Sequence, residues 1–507
     1  MNPPISRSKG QFIDIRLGVY LPFIQKYKRR GTCTKLLWEG GSVRSSIYPI
    51  IMISCVALLA ASLVFGVYAQ NSTYQNPILP GFHPDPSCIF VPEWDDTFFC
   101  ASSSFLAFPG LPIHASKDLR KWRLASNAFS RPEQLPDLAN LASSLWGIWA
   151  PTLRYRNGTF YLVTTNVINS DASHNLDKWD NIILTSTDPY NSSSWSNPVH
   201  FDFFGYDTSP FWDDDGKVYI TGSHPWQHYP AIRQMQINLE TGAVGEPVIV
   251  WNGTGGLAPE GPHIYKRDGY YYLMVAEGGT GVNHMQTIAR SKNINGPYDP
   301  NPANPIVTNA NTSAYFQTVG HADLFQDKNG EWWGVALSTR SGPDYLVYPM
   351  GRETVLTAVT WKEGGWPIFT NVSGNFSGWE LDTKPPIDDG EGPLIDEQDH
   401  ITFKPGSKIP PHLTHWRLPV SENYAISPPG HPNTLRLRPS IWNVTGANST
   451  NFAQPKPQTW IARRQVDSLF TFSVNVDVSL KEVEQEVGVT VFLDQVCSLP
   501  RLLLRLP

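Results

Sequence analysis

Asn157-Gly158-Thr159-Phe160-Tyr161 is a tight turn followed by a β-branched and aromatic run. Asn-Gly ahead of such a run signals a hairpin, because both residues tolerate the positive φ that a two-residue turn requires. The same signature stands earlier as Asp95-Asp96-Thr97-Phe98-Phe99. It stands later as Asp215-Gly216-Lys217-Val218-Tyr219, Asp268-Gly269-Tyr270-Tyr271-Tyr272 and Asn329-Gly330-Glu331-Trp332-Trp333. From Asp96 through Gly158, Gly216, Gly269 and Gly330 the spacings are 62, 58, 53 and 61 residues, about the length of four short strands with their connections. Five such units predict an all-β fold, a five-bladed β-propeller.

Nine residues before the glycines of the second to fifth turns stand Trp149, Asp207, Glu260 and His321, and Asp85 stands eleven before Asp96. Equivalent positions in repeats occupy equivalent places. If these residues start the innermost strand of each blade, all five meet at one end of the central channel. A single acidic residue near a turn is ordinarily a solvated or capping group. Three carboxylates, a Trp and a His at matched offsets predict a shared site instead. The chain carries no Ser-His-Asp ordering, P-loop or metal-binding His pair. A convergent carboxylate set on a neutral substrate is what glycoside hydrolysis needs: one carboxylic acid protonates the leaving oxygen, and a second carboxylate activates water or attacks carbon. A third carboxylate nearby raises the acid's pKa by repulsion.

The composition agrees with this class. Of 507 residues, 41% are hydrophobic and 17% charged, and 18 Trp, 20 Tyr, 24 Phe, 39 Gly and 44 Pro describe short strands, many turns and aromatic surfaces. That profile excludes a disordered chain and disfavours helical bundles. Residues 1–69 hold nine Lys/Arg against Asp14 and Glu39, so the remainder carries −13 of the overall −6. A body this acidic has no footprint for nucleic acid. A sugar with apolar faces suits its aromatic surfaces better, and Trp149 is placed by its register to wall such a pocket.

Six motifs then carry a resemblance: residues 76–87, Asn-Pro-Ile-Leu-Pro-Gly-Phe-His-Pro-Asp-Pro-Ser; Trp149-Ala150-Pro151; Asp207-Thr208-Ser209-Pro210-Phe211; Glu260-Gly261-Pro262; Gly320-His321-Ala322-Asp323; and Gly351-Arg352-Glu353-Thr354. In this order, over residues 75 to about 370, the chain resembles glycoside hydrolase family 43. The resemblance implies an inverting propeller hydrolase with Asp85 as general base, Asp207 as pKa modulator and orienter, and Glu260 as general acid. It implies that Arg352 contacts a catalytic carboxylate or a sugar hydroxyl, that Phe105 helps wall the pocket, and that His321 sits in the channel, in some relatives near a bound calcium ion. Read without the resemblance, a lone His is as well a hydrogen-bonded core residue. No cofactor is required. The substrate expected is an oligosaccharide of plant cell walls losing xylose or arabinose from its non-reducing end. An endo-arabinanase or other propeller glycosidase, and a carbohydrate-binding propeller without catalysis, are the rivals.

The flanks organise the rest. Residues 45–84 contain no Asp, Glu, Lys or Arg, and 47–69 is long enough to span a bilayer as a signal anchor behind a basic flank. A start at Met52 would instead make 53–67 a signal-peptide core. Both deliver the body to an extracytoplasmic space, secreted or anchored, with membrane contact only through 47–69 if it is uncleaved. Nine N-x-S/T sequons, at Asn71, Asn157, Asn191, Asn252, Asn311, Asn371, Asn375, Asn443 and Asn448, support that destination. Cys33 and Cys55 fall in the leader and Cys497 in the tail, which leaves Cys88 and Cys100 to close a disulfide there or to remain buried thiols. The division expected is a leader or anchor over 1–69, a propeller over 70–379 and a second domain over 380–507. Pro385 to Gly390 reads as a linker, and alternating runs such as 470–478 predict half-buried antiparallel strands. They resemble the concanavalin-like β-sandwich that follows the family's propeller, in a stretch shorter than that sandwich and therefore expected to be incomplete.

Overall fold

Asn157 and Gly158 have φ of 50° and 80°, and Asp268 and Gly269 have 52° and 71°, the twist a two-residue turn needs to join right-handed strands. The computed structural model describes residues 12–19, 73–141, 143–168, 178–381, 384–441, 458–478, 482, 485–492 and 498–505. In it each signature turn closes the first hairpin of a four-stranded antiparallel sheet. The first blade holds Ser87–Val91, Thr97–Ala101, Gly110–Ser116 and Arg123–Phe129, and the second holds Gly147–Arg156, Thr159–Val167, Trp179–Ser186 and Val199–Phe201. The third runs over Tyr206–Trp212, Val218–Ser223, Ile232–Gln236 and Val248–Trp251, and the fourth over Glu260–Arg267, Tyr270–Glu277, Met285–Ser291 and Asp299–Pro300. Phe316–Gln326, Trp332–Arg340, Glu353–Thr360 and Ile368–Phe369 make the fifth. The 3-10 turn Pro92–Trp94 lengthens the first hairpin, which is why Asp85 stands eleven residues from its signature and the others nine.

The innermost strands touch in cyclic order, and the fifth touches the first. Apolar faces pack between the blades. Phe99, Phe160, Leu162 and Trp195 belong to one buried cluster, and Tyr74, Phe98, Phe325 and Trp333 to another that joins the last blade to the first. Aromatic side chains bury roughly 150–250 Å² each, so these seams dominate the packing energy. The chain ahead of the first blade closes the ring. Thr73–Gln75 pairs with Asn375–Ser377. Asn76 accepts from Leu356 N (2.8 Å) and donates to Leu356 O (2.9 Å), and His83 N donates to Arg352 O (3.0 Å). Cys88 and Cys100, directly opposite in the first hairpin, are joined by a disulfide.

Past residue 384 the strands pair in small antiparallel sheets of two or three strands. Leu413–Trp416 pairs on one side with Ala107–Phe108 and on the other with Ala462–Arg463, Tyr424–Ile426 pairs with Leu435–Leu437, and Glu486–Phe492 with Ser498–Arg505. Phe470–Asp477 pairs with Phe12–Val19. These antiparallel pieces are consistent with the expected sandwich. The linker-like stretch is packed, however: Ile387 is buried and its carbonyl accepts from Arg123 Nε (2.6 Å). Glu391 N and Ile395 N donate to Ala125 O and Trp122 O. Proline-rich extended backbone keeps its carbonyls free, and here they meet the outer edge of the first blade. The leader and anchor region at 20–69, Asn71, Asn443, Asn448 and Cys497 lie outside the described residues. No helix among the described residues is long and apolar enough to cross a membrane.

Candidate active site

Four of the five innermost strands start with an irregularity, and the residues singled out by the repeat register sit on or beside it; in the first blade Asp85 precedes a regularly paired strand. Pairing shifts between Trp149 and Thr152, Tyr206 and Ser209, Glu260 and His263, and Gly320 and Asp323. A bulge re-aims a side chain that regular pleating would send into the blade. Asp85, Asp207 and His321 accordingly hold left-handed φ of 54°, 55° and 52°, a strain seen where function fixes the backbone. The effect is to turn all five toward the channel axis.

His321 is at the centre. Its Nδ1 lies 3.9 Å from Asp85 Oδ1, 4.0 Å from Asp207 Oδ2 and 3.9 Å from Glu260 Oε1. The three carboxylates predicted from the sequence are therefore brought together around one imidazole nitrogen. Asp85 accepts from Ser103 Oγ (2.6 Å) and Arg352 Nη1 (2.9 Å), and the same Ser103 Oγ accepts from Ala150 N (2.6 Å). Asp207 accepts from Gly261 N (3.1 Å). Glu260 Oε1 faces His284 Nε2 at 3.5 Å.

The charges do not titrate independently. Burial would lower the His321 pKa, but Glu260, Asp207 and Asp85 outweigh it and hold the imidazole up to about 9, so it is charged at neutral pH. Burial pushes Asp207 up, His321 opposes this, and repulsion from Glu260 and Asp85 adds to it; the carboxyl reaches about 8. Burial would also raise Glu260, but His284 and His321 together hold it below the usual carboxylate range. Burial, helped by Glu260 and Asp207, keeps Tyr206 in its phenol form. The pocket thus favours the protonated forms of Asp207 and His321 and the ionised form of Glu260.

Aromatic rings wall one side. Phe105 lies with ring centroids 5.6 Å from Phe82 and 6.2 Å from Trp149, and Trp149 lies 5.7 Å from Tyr206. Arg352 stands over Phe105 at 5.4 Å, so both aromatics expected from the sequence share the carboxylates' neighbourhood. Gly147, with φ of 94°, lets Phe105 come close: a Cβ there would meet Phe105 O at 2.4 Å.

Further along the same strands, side chains from four blades meet. Arg154 donates to both oxygens of Asp323 (2.8 and 3.1 Å), Ser87 Oγ donates to Oδ2 (2.6 Å) and Tyr265 OH to Oδ1 (2.8 Å). Arg154 Nη2 also meets His263 Nδ1 at 3.1 Å. Burial would raise Asp323, but Arg154 holds it well below the carboxylate range. The residues beside His321 do not fit a calcium ion. Its Nδ1 faces the three carboxylates as a charged donor, and its Nε2 lies under Gly261, where a Cβ would stand 2.8 Å away. Among the described residues the chain supplies cations of its own here, Arg154 beside Asp323 and His321 among the carboxylates.

Sequence reasoning missed Ser103, Arg154 and His284, and gave Asp323 no role. A signal existed for Asp323, which lies two residues after His321 as Ser87 lies two after Asp85; the burial of the run Ser102-Ser103-Ser104 is visible only in the structure. His284 carries no repeat offset.

With this geometry, three kinds of likeness agree. The family model described as "Glycosyl hydrolases family 43" matches residues 74–367. A curated non-reducing end α-L-arabinofuranosidase from Bacteroides ovatus is 36% identical over 460 residues, covering 87% of this chain and 78% of the relative. A β-xylosidase from Bacillus subtilis is 36% identical over 327 residues, 61% of this chain and 58% of its own. The crystal structure of a xylan β-1,4-xylosidase from Bacillus halodurans superposes with a TM-score of 0.63 at 33% identity, over 78% of this chain and 72% of that one.

Proposed function

Because the chain belongs to family 43 of the glycosyl hydrolases, we propose that this glycosidase removes xylose or arabinofuranose from the non-reducing ends of plant cell-wall oligosaccharides, with inversion. The observation that carries this is the depth of the site. Asp85 and Asp207 are each only 5% exposed, and the Arg154–Asp323 ion pair stands further along the same strands. Carboxylates this deeply buried suit the end of a chain, whereas an endo-acting enzyme needs an open groove.

In this reading Asp85, fixed by Ser103 and Arg352, takes a proton from water as its oxygen bonds to the anomeric carbon. Glu260 gives a proton to the oxygen that leaves, so one proton is gained and one lost. Asp207 and His321 hold the local charge and orient both groups. Phe105 and Trp149 stack on the sugar's apolar face. No step passes through a metal ion. The Asn residues of the six described sequons, Asn157, Asn191, Asn252, Asn311, Asn371 and Asn375, are all exposed. With the Cys88–Cys100 disulfide they support an extracytoplasmic body.

Product analysis on xylo-oligosaccharides and arabinan tests the reading. Wild type is expected to release single sugars, and Glu260→Gln to lose roughly 10²-fold or more of turnover while still binding the sugar. Internal cleavage products, or equal hydrolysis by the variant, would overturn it.

A further inference from the structure

His284 is fully buried at the end of the loop joining Tyr270–Glu277 to Met285–Ser291 in the fourth blade, away from the strand starts that carry the rest of the site. Its Nδ1 lies 2.9 Å from Thr318 O. A carbonyl only accepts, so the hydrogen is on Nδ1. The other nitrogen, Nε2, is thereby turned to Glu260 Oε1 at 3.5 Å. Among the described residues neither atom has a hydrogen-bond partner, although both are buried, and buried polar atoms are ordinarily paired. The backbone is held and the ring is packed. His284 N donates to Gly281 O (3.0 Å), Thr308 Oγ1 donates to His284 O (2.8 Å), and Gly320 leaves room that a Cβ would take, 2.7 Å from the imidazole.

We propose that His284 is the positioning residue of the acid, holding Glu260 Oε1 with Nε2 and sharing with it the proton that Glu260 delivers; this rests on Glu260 being that acid. With the proton on Nε2 the imidazolium donates to the carboxylate, and with it on Oε1 the carboxyl donates to the nitrogen lone pair. When Glu260 passes a proton to the leaving oxygen, transfer from Nε2 restores it and leaves a neutral imidazole still bonded through Nδ1 to Thr318. The attacking water releases one proton in the same turnover, so the count balances. The other ionisable groups facing this pair are His321, Asp207 and Tyr206, with Asp85 and Arg352 beyond. Glu277 on the same blade is turned to Thr254, Gly256 and Thr287.

The test compares two glycosides of whichever sugar wild type accepts. A dinitrophenyl leaving group departs without protonation, and an unsubstituted phenyl group does not. His284→Phe, which keeps the ring shape without nitrogen, is expected to slow the phenyl glycoside at least tenfold more than the dinitrophenyl one. It should also move the limb of the kcat/KM pH profile that belongs to the acid. His284→Gln fills the same space with an amide that cannot share a proton, should show the same selectivity, and carries the test if the Phe variant does not fold. An equal fall on both substrates with an unchanged pH profile would reduce His284 to packing and overturn the proposal. Glu260→Ala separates the two levels. If it shows the leaving-group dependence and the His284 variants do not, only the His284 inference falls. If it shows none, the acid assignment itself falls.

Discussion

Asp207 sits in a left-handed turn, 5% exposed, with one backbone N–H and a charged imidazole for company. Its burial, reinforced by two neighbouring carboxylates, lifts its pKa from 3.8 to about 8. The native state therefore binds a proton that the unfolded chain has released between about pH 4 and pH 8, and stability falls as pH rises through that window. Asp207→Asn removes the ionisation. Its Tm is expected to exceed that of wild type by a few degrees at pH 8 and above, with the difference vanishing toward pH 4, while turnover drops. Thermal melts at fixed salt across that range check this, and an Asn variant less stable throughout would contradict it. The site was chosen for chemistry at the expense of stability, as strained functional positions commonly are.

The innermost strand is the element that makes this site, and it does so in two layers. In the second, fourth and fifth blades the bulge at its start turns one residue to the pocket, and two to five residues later the same strand sends another into the channel: Arg154 after Trp149, His263 after Glu260, Asp323 after His321; in the first, Ser87 follows Asp85 on a strand without a bulge. Arg154 and Asp323 form a buried ion pair with further hydrogen bonds from Ser87 and Tyr265. Removing one partner leaves an uncompensated charge, so Asp323→Ala is expected to cost about 3–5 kcal/mol, read as a lower urea midpoint. Asp323 is held low, so its contribution is present above about pH 4 and is lost as pH falls. The Asp323→Ala deficit should accordingly shrink in acid, and a deficit constant with pH would deny the ion pair its part. The upper layer was legible because each pocket residue keeps a fixed distance from its hairpin turn. The lower layer was less so, since bulges of different length set its offsets.

At the scale of the molecule the propeller must close, and the chain before the first blade does it. Asn76 bonds both to Leu356 N and O and to Ser373 O, beside the pairing of Thr73–Gln75 with Asn375–Ser377. Asn76→Ala strands those groups and is expected to cost about 1–3 kcal/mol, seen as a lower Tm with kcat close to wild type. An unchanged Tm would place closure wholly in the aromatic seam of Tyr74, Phe98, Phe325 and Trp333. The same closure brings Arg352 to Asp85 across 267 positions of sequence, a meeting that no periodicity foretells. Likewise, residues 385–390 read as a linker because their composition is that of one. Their packing on the first blade depends on an edge strand whose free hydrogen-bonding groups are not visible in a linear pattern. The sequence by itself determined the all-β propeller, its five blades and the convergence of Asp85, Asp207, Glu260, Trp149 and His321, because those follow from turn chemistry and repeat spacing, which are local. Only the tertiary structure decided that His321 stands at equal reach of three carboxylates, that Arg154 occupies the channel and that His284 faces the acid. Those depend on how strands from different blades lie in space, and so on contacts between residues that the sequence keeps far apart.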